Sequence, residues 1–303
     1  MSSAPLLTKH HGAGNDFLVV CDDSPAGSFD ARVARLLCDR RRGFGADGLL
    51  RATPSPRPGL VARMELWNAD GSRAEMSGNG IRCFAQALVR AGWAEPGALV
   101  VETGAGPRTL RLLPATENRS AEAGWPDGVD VDWVEVEMGA VTLELPLGER
   151  AGGPALGGAW PARPALVGNP HLVVLVPDAG ELEALDLARL GPPLEAARPG
   201  GQNIEWIAPR PDGGLQLRVW ERGVGETAAC GTGSVAAAAV ARAWGVVGER
   251  LTVWNPGGPL EVALAPAGAR LVGDAHYVGR LEPGHDLRSL LGDAETARVG
   301  GCA

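Results

Sequence analysis

Lysine is almost missing from this chain: Lys9 is the only one in 303 residues, so the basic charge is nearly all arginine. That excludes a lysine Schiff base or a phosphate-binding lysine anywhere but position 9. Cysteine is sparse and odd in number, at 21, 38, 83, 230 and 302, with no C-x-x-C pair. Neither a disulfide framework nor a zinc ribbon fits that pattern, and free thiols in a reducing, cytoplasmic compartment are expected. The five histidines (10, 11, 171, 276, 285) show no His-x-x-x-His, so no metal site is expected. Long hydrophobic runs are absent too. The longest aliphatic stretches, 172–176 and 235–241, fall far short of a membrane span, and no apolar leader opens the chain. Basic charge is outnumbered, 28 Lys+Arg against 36 Asp+Glu for a net charge of −8, which makes a nucleic-acid partner a poor fit.

What is present is glycine, 44 residues, with 24 prolines, so the chain turns often. Hydrophobic residues make up 45 % and charged residues 21 %, a globular composition with length enough for two domains. Runs at 17–21, 61–67, 99–102, 131–138, 171–176, 215–220 and 251–254 read as strands. Helical spacing appears at 29–41, 81–91 and 234–244; the last two are apolar on most sides and belong inside the protein. Loops are expected at 53–59, 114–128 and 152–164. The expected fold class is α+β, with sheets wrapped around a central helix, twice. The expected division is 1–128, completed by 277–303, and 129–276.

The two buried helices have matching entrances. The first reads Trp67-Asn-Ala-Asp-Gly-Ser-Arg-Ala-Glu-Met-Ser77-Gly78-Asn79-Gly80, and the second Trp220-Glu-Arg-Gly-Val-Gly-Glu-Thr-Ala-Ala-Cys230-Gly231-Thr232-Gly233. Each places Ser or Cys ten residues after the Trp, followed by Gly-x-Gly, and each is preceded by Gly-Asn, at Gly14-Asn15 and Gly168-Asn169. The matched spacing implies two homologous halves about 153 residues apart. Backbone N–H groups at a helix start bind carboxylate or phosphate, and the same partial charge favours thiolate over thiol. Two such ends facing each other would hold one anionic group and set Ser77 and Cys230 on opposite sides of it. That arrangement suits proton removal from one face of an α-carbon and proton return to the other.

Other motifs carry less. Gly43-Phe-Gly45-Ala-Asp-Gly48 and Gly231-Thr-Gly233-Ser-Val-Ala236 loosely match a dinucleotide fingerprint but lack the strand context it needs. His171 either tunes a nearby thiol or is a strand-start histidine bonded to backbone. Cys83, six residues past Ser77, lies about 240° around a helix from it and reads as core packing.

At these residues the sequence resembles the diaminopimelate epimerase family over nearly its whole length. The resemblance rests on Gly12-Ala-Gly-Asn15-Asp-Phe17, Gly45-Ala-Asp47-Gly48, Trp67-Asn68-Ala-Asp-Gly71, Gly78-Asn-Gly80, Gly168-Asn-Pro-His171, Glu221-Arg222-Gly223 and Gly225-Glu-Thr-x-x-Cys-Gly231-Thr232-Gly233. It implies two pseudo-symmetric halves with the active site in the cleft between them. It also implies epimerisation of LL- to meso-2,6-diaminopimelate for lysine and peptidoglycan synthesis, with no pyridoxal phosphate and no metal. A cytoplasmic setting follows, with no nucleic-acid or membrane partner, and with room for a homodimer. Carried over by position, Cys230 is the thiol base. Asn15, Asn68, Asn169, Asn203, Glu221 and Arg222 grip the substrate, including its distal end. Gly78 with Asn79 and Gly231 with Thr232 hold the reacting carboxylate, and His171 and Glu221 influence the thiol. Some relatives contact substrate through a Gln where Gly48 stands here, so that contact is absent.

The main departure is Ser77, where the family has a second Cys. A hydroxyl is a far weaker acid than a thiol and a poor base toward an α-hydrogen. Three readings stay open: a serine–cysteine pair natural to the lineage, an engineered or degenerate Cys→Ser form that turns over weakly or only binds diaminopimelate, or a related racemase or dehydratase reaction. The retained distal-end residues argue against a proline-sized substrate.

Overall fold

A computed structural model describes residues 6–22, 29–74, 76–113, 131–144 and 160–284. The expected boundary at 128/129 and Cys302 lie outside the described residues. The chain builds one element series twice. The first runs β1 (Leu6–Gly12), β2 (Asn15–Cys21), α1 (Ala31–Cys38), β3 (Gly48–Pro54), β4 (Ala62–Asn68), β5 (Arg73–Ala74), α2 (Gly78–Arg90), β6 (Ala98–Thr103), β7 (Gly106–Leu113) and β8 (Val131–Gly139). A short β9 (Thr142–Leu143) leads onward. The second runs β10 (Ala162–Leu166), β11 (Pro170–Leu175), α3 (Ala179–Glu183), α4 (Leu187–Ala196), β12 (Asn203–Pro209), β13 (Leu215–Glu221), β14 (Gly225–Thr227), α5 (Gly231–Ala243), β15 (Arg250–Asn255), β16 (Gly258–Ala265) and β17 (Gly268–Arg280).

Corresponding strands pair alike. β2–β3 and β11–β12 are parallel, while β3–β4, β12–β13, β6–β7 and β15–β16 are antiparallel. The two series then exchange their ends. β17 leaves β16 to pair with β1, β9 carries the chain after β8 to β10, and β8 and β17 run antiparallel to each other. The hydrogen-bonded network is therefore continuous, and position 276/277 falls inside β17.

Each series wraps a central helix. In α2 every residue from Gly78 to Leu88 is buried, and in α5 Gly231 and 233–241 are. Alanine dominates α5, which gives high helix propensity and lets strands approach on all sides. Both helices end on a glycine in the left-handed region, Gly92 (φ 72°) and Gly245 (φ 76°). One core cluster contains side chains of both helices, including Ile81, Phe84, Leu88, Val235 and Val240. Burying each such large side chain contributes about 1.5–3 kcal/mol. No helix among the described residues is long and apolar enough to cross a membrane.

Candidate active site

Both central helices begin three residues earlier than the apolar pattern predicts, because Ser77 and Cys230 cap them. Gly80 N donates to Ser77 Oγ at 3.0 Å, and Gly233 N donates to Cys230 Sγ at 3.4 Å. The two N-termini meet. A methyl group on Gly78 would stand 2.9 Å from the Gly231 Cα, and one on Gly231 would stand 3.0 Å from the Gly78 Cα. Only glycine at both positions allows this approach. Asn79 ties the ends together, its Nδ2 donating to Ala229 O at 2.9 Å and to Asn15 Oδ1 at 3.4 Å. Asn15 in turn donates to Asp47 at 2.7 Å, and Asp47 pairs with Arg40. Gly14 and Gly168, both at φ 77°, turn the chain just before Asn15 and Asn169.

The surroundings of the two caps differ. On the Cys230 side, Glu221 and Glu205 both bear on the thiol. Burial and the charges of Glu221 and Glu205 push the Cys230 thiol well above its ordinary value, outweighing the Thr232 hydroxyl and the Gly233 amide. The helix start alone would favour thiolate; here it loses to burial and two carboxylates. Burial also raises the Glu221 carboxyl, against hydrogen bonds from Thr227 (2.6 Å) and the Cys230 thiol. His171 is fully buried, bonded through Nδ1 to Glu205 Oε1 at 2.7 Å and through Nε2 to Asn169 Oδ1 at 2.9 Å. Its partners are thus side chains, not backbone. Glu205 presses on the first turn of α5: a methyl on Gly233 would lie 2.6 Å from its Oε1.

On the Ser77 side the corresponding positions are apolar. Phe17 pairs with Gly48 as His171 pairs with Asn203, and Leu50 stands where Glu205 does. The Phe17 ring packs against Gly80, 3.2 Å from where its Cβ would be. No carboxylate–imidazole pair backs the serine at these positions.

The remaining candidates border these two ends. Asn203 Oδ1 accepts from Arg222 N at 2.9 Å, and the Arg222 guanidinium donates to Gly200 O at 3.1 Å. Arg222 is exposed and forms no ion pair among the described residues. Asn68 ends β4, opposite Gly48, and its Nδ2 donates to Ser72 at 3.0 Å; among the described residues no hydrogen bond joins it to another candidate. Glu205, Thr227 and Asp47 escaped the sequence reading as site residues. Glu205 sits in the strand Asn203–Pro209, and only its pairing with a strand 34 residues earlier brings it to His171.

One group could suggest a metal: His11, Asp274 and His276 have ligand-type atoms within 4.8 Å of one another. Its geometry points elsewhere. The two imidazoles stack at 4.3 Å and 9°, whereas rings sharing an ion radiate from it. Asp274 is also committed to Ala13 N (2.9 Å) and His276 (2.9 Å), and lies 3.7 Å from the buried Arg82 guanidinium. A groove of about 640 Å³ lined by Arg250, Trp254, Glu261 and Arg270 contains none of the candidate residues.

Comparison with known proteins gives this geometry its context. The family described as "Diaminopimelate epimerase" matches residues 7–142 and 165–278. The diaminopimelate epimerase of Thermobifida fusca is 40 % identical over 287 residues, covering 90 % of this chain and 95 % of that protein. That of Moorella thermoacetica is 39 % identical over 274 residues, covering 86 % and 91 %. Among solved structures, a hydroxyproline epimerase from Agrobacterium vitis superposes with a TM-score of 0.65 at 17 % identity, over 93 % of each chain, and shares the fold. The chain belongs to the diaminopimelate epimerase family.

Proposed function

We propose that this protein epimerises LL-2,6-diaminopimelate to the meso form through a serine–cysteine pair. The observation that carries the proposal is the meeting of two helix N-termini at Gly78 and Gly231, each capped by a proton-carrying side chain. The reacting carboxylate sits between these ends, held by backbone N–H groups around Gly78, Asn79, Gly231 and Thr232. Loss of the α-hydrogen then drives negative charge onto that carboxylate, where both helix dipoles stabilise it. Asn15, Asn68, Asn169, Asn203, Glu221 and Arg222 grip the substrate, including its distal amino-acid end, and His171 and Glu221 also influence the thiol.

Cys230 is the base. Burial and the charges of Glu221 and Glu205 hold its thiol in the protonated form. A substrate ammonium beside these carboxylates offsets their charge and releases the thiolate, so the base forms when substrate arrives. Ser77 serves the opposite face. Its hydroxyl can give a proton to a carbanion, and the Gly80 amide steadies the oxygen left behind. As a base it is poor, with Phe17 rather than a carboxylate behind it. The product's use in lysine and peptidoglycan precursor synthesis, a cytoplasmic location and a homodimer belong to the same proposal.

Conversion of LL-diaminopimelate by the purified protein tests the reading. Turnover is expected, and Cys230→Ser should lower it by on the order of 10²–10⁴-fold, the usual contribution of a positioned acid–base group. Tight binding with no turnover would instead make the protein a diaminopimelate-binding member of the family.

A further inference from the structure

The turn after β13 carries Glu221 and Arg222, and a single carboxylate outside the catalytic ends holds it. Glu195, near the end of α4, accepts from Trp220 Nε1 at 2.8 Å and from Gly223 N at 3.0 Å. Those two donors flank the Glu221–Arg222 dipeptide, so the two oxygens of Glu195 clamp it from both ends. The packing leaves little room for another arrangement. The Trp220 ring lies on Gly191, where a methyl would come within 2.3 Å of it. The Arg222 side chain lies on Gly201, where a methyl would come within 2.7 Å.

The first half performs the same task with opposite charge. There Arg35 of α1 donates to Asp70 O at 3.2 Å in the turn that follows Trp67 and Asn68. Gly71 packs so tightly on α1 that a methyl would stand 2.5 Å from Ala31 O. In each half, a helix inserted after the second strand reaches across to the turn beside the central helix start. The sequence pattern gives no sign of it in the second half, because Pro192 and Pro193 lie inside α4.

We propose that Glu195 is a positioning residue that sets recognition of the substrate's distal end. It does so by fixing the Glu221–Arg222 turn, with no contact to substrate. The exposed Arg222 guanidinium suits a carboxylate, and its aim depends on the backbone that Glu195 holds. Glu221 extends from the same dipeptide toward Cys230. This inference rests on the epimerase reading above.

The test compares two substrates: LL-diaminopimelate, and L-2-aminoheptanoate, which keeps the reacting end and the chain length and lacks the distal ammonium and the distal carboxylate. Epimerisation is followed for the first and α-hydrogen exchange in D₂O for both. Glu195→Ala is expected to lower kcat/KM for LL-diaminopimelate about tenfold or more, mainly through KM. Hydrogen bonds to a charged group are worth roughly that factor. Exchange of L-2-aminoheptanoate should stay within about twofold of wild type. Glu195→Gln, which keeps one acceptor, and Trp220→Phe, which removes one donor, should fall between. Equal losses on both substrates, or a loss in kcat alone, would overturn the positioning role in favour of a structural one. An active wild type with unchanged Glu195→Ala would also overturn it. A wild type inactive on LL-diaminopimelate would overturn the functional reading instead.

Discussion

Ser77 and Cys230 occupy the same place in two copies of one motif, and their chemistry separates them. As a helix cap, serine is the better residue, because its oxygen is a stronger acceptor for the amide than the Cys230 sulfur is. As an acid–base group it is the poorer one. Ser77→Cys should therefore raise kcat by roughly 10²-fold or more, towards the range expected of a matched pair. It should also cost about 1 kcal/mol of stability through the weaker cap. Steady-state kinetics and urea denaturation measure the two effects separately. Both residues are legible in the sequence, because Gly-x-Gly after a conserved distance from Trp marks each helix start. Cys83 is legible as well: it is fully buried among apolar side chains of the core, away from the helix start, and burial pushes its thiol up to about 12. Glu205 is not legible, since a lone carboxylate in an otherwise apolar strand gains its partner only through the parallel pairing of β11 with β12.

At the scale of elements, the two central helices declare themselves by being apolar all round. Their first turns do not, because glycines and polar caps read as loop. β1 is missed for a similar reason: Lys9, His10 and His11 interrupt its pattern. His10 is nonetheless buried, bonded to Thr8 and Gln86, and desolvation lowers it to about 4, so it stays neutral. β10 begins at Ala162, inside the stretch expected to be loop, and α4 forms despite its prolines because Leu187, Leu190 and Leu194 are buried. The contact between helix starts gives a direct prediction. Gly231→Ala places a methyl 3.0 Å from the Gly78 backbone and 3.1 Å from Leu271. The two ends must part, at about 1–3 kcal/mol in stability. Turnover should fall further than stability, since the carboxylate cradle is the part displaced. Thermal unfolding alongside kinetics checks it, and a variant with normal turnover would contradict the cradle.

The whole molecule shows in the sequence as a repeat, and the matched intervals between Gly-Asn, Trp and Gly-x-Gly are enough to find it. The expected division already completes 1–128 with 277–303, but the pairings by which β8 and β17 change series are not visible in the sequence. They include that of His11 with His276, which no local pattern encodes. Arg82 of α2 and Asp274 of β17 lie on either side of this crossing, both buried, with Asp274 also capping Ala13 N. The Asp274 carboxyl is held below its ordinary value against its burial, by His276 and Arg82. Asp274→Ala leaves the Arg82 charge buried without its partner carboxylate, and should destabilise the fold by about 3–5 kcal/mol in urea titration. Because that carboxyl is lowered in the fold, its contribution is present above the ordinary carboxylate range and is lost as pH falls through the lowered value.

The asymmetric pair itself is tested by following LL- and meso-diaminopimelate in D₂O, measuring α-deuterium uptake and inversion together. If Cys230 is the strong base and Ser77 the weak one, the epimer whose α-hydrogen faces Cys230 exchanges faster than it inverts. The epimer facing Ser77 takes up deuterium only as it inverts. Equal exchange-to-inversion ratios for the two epimers, or exchange that survives Cys230→Ser, would contradict this account.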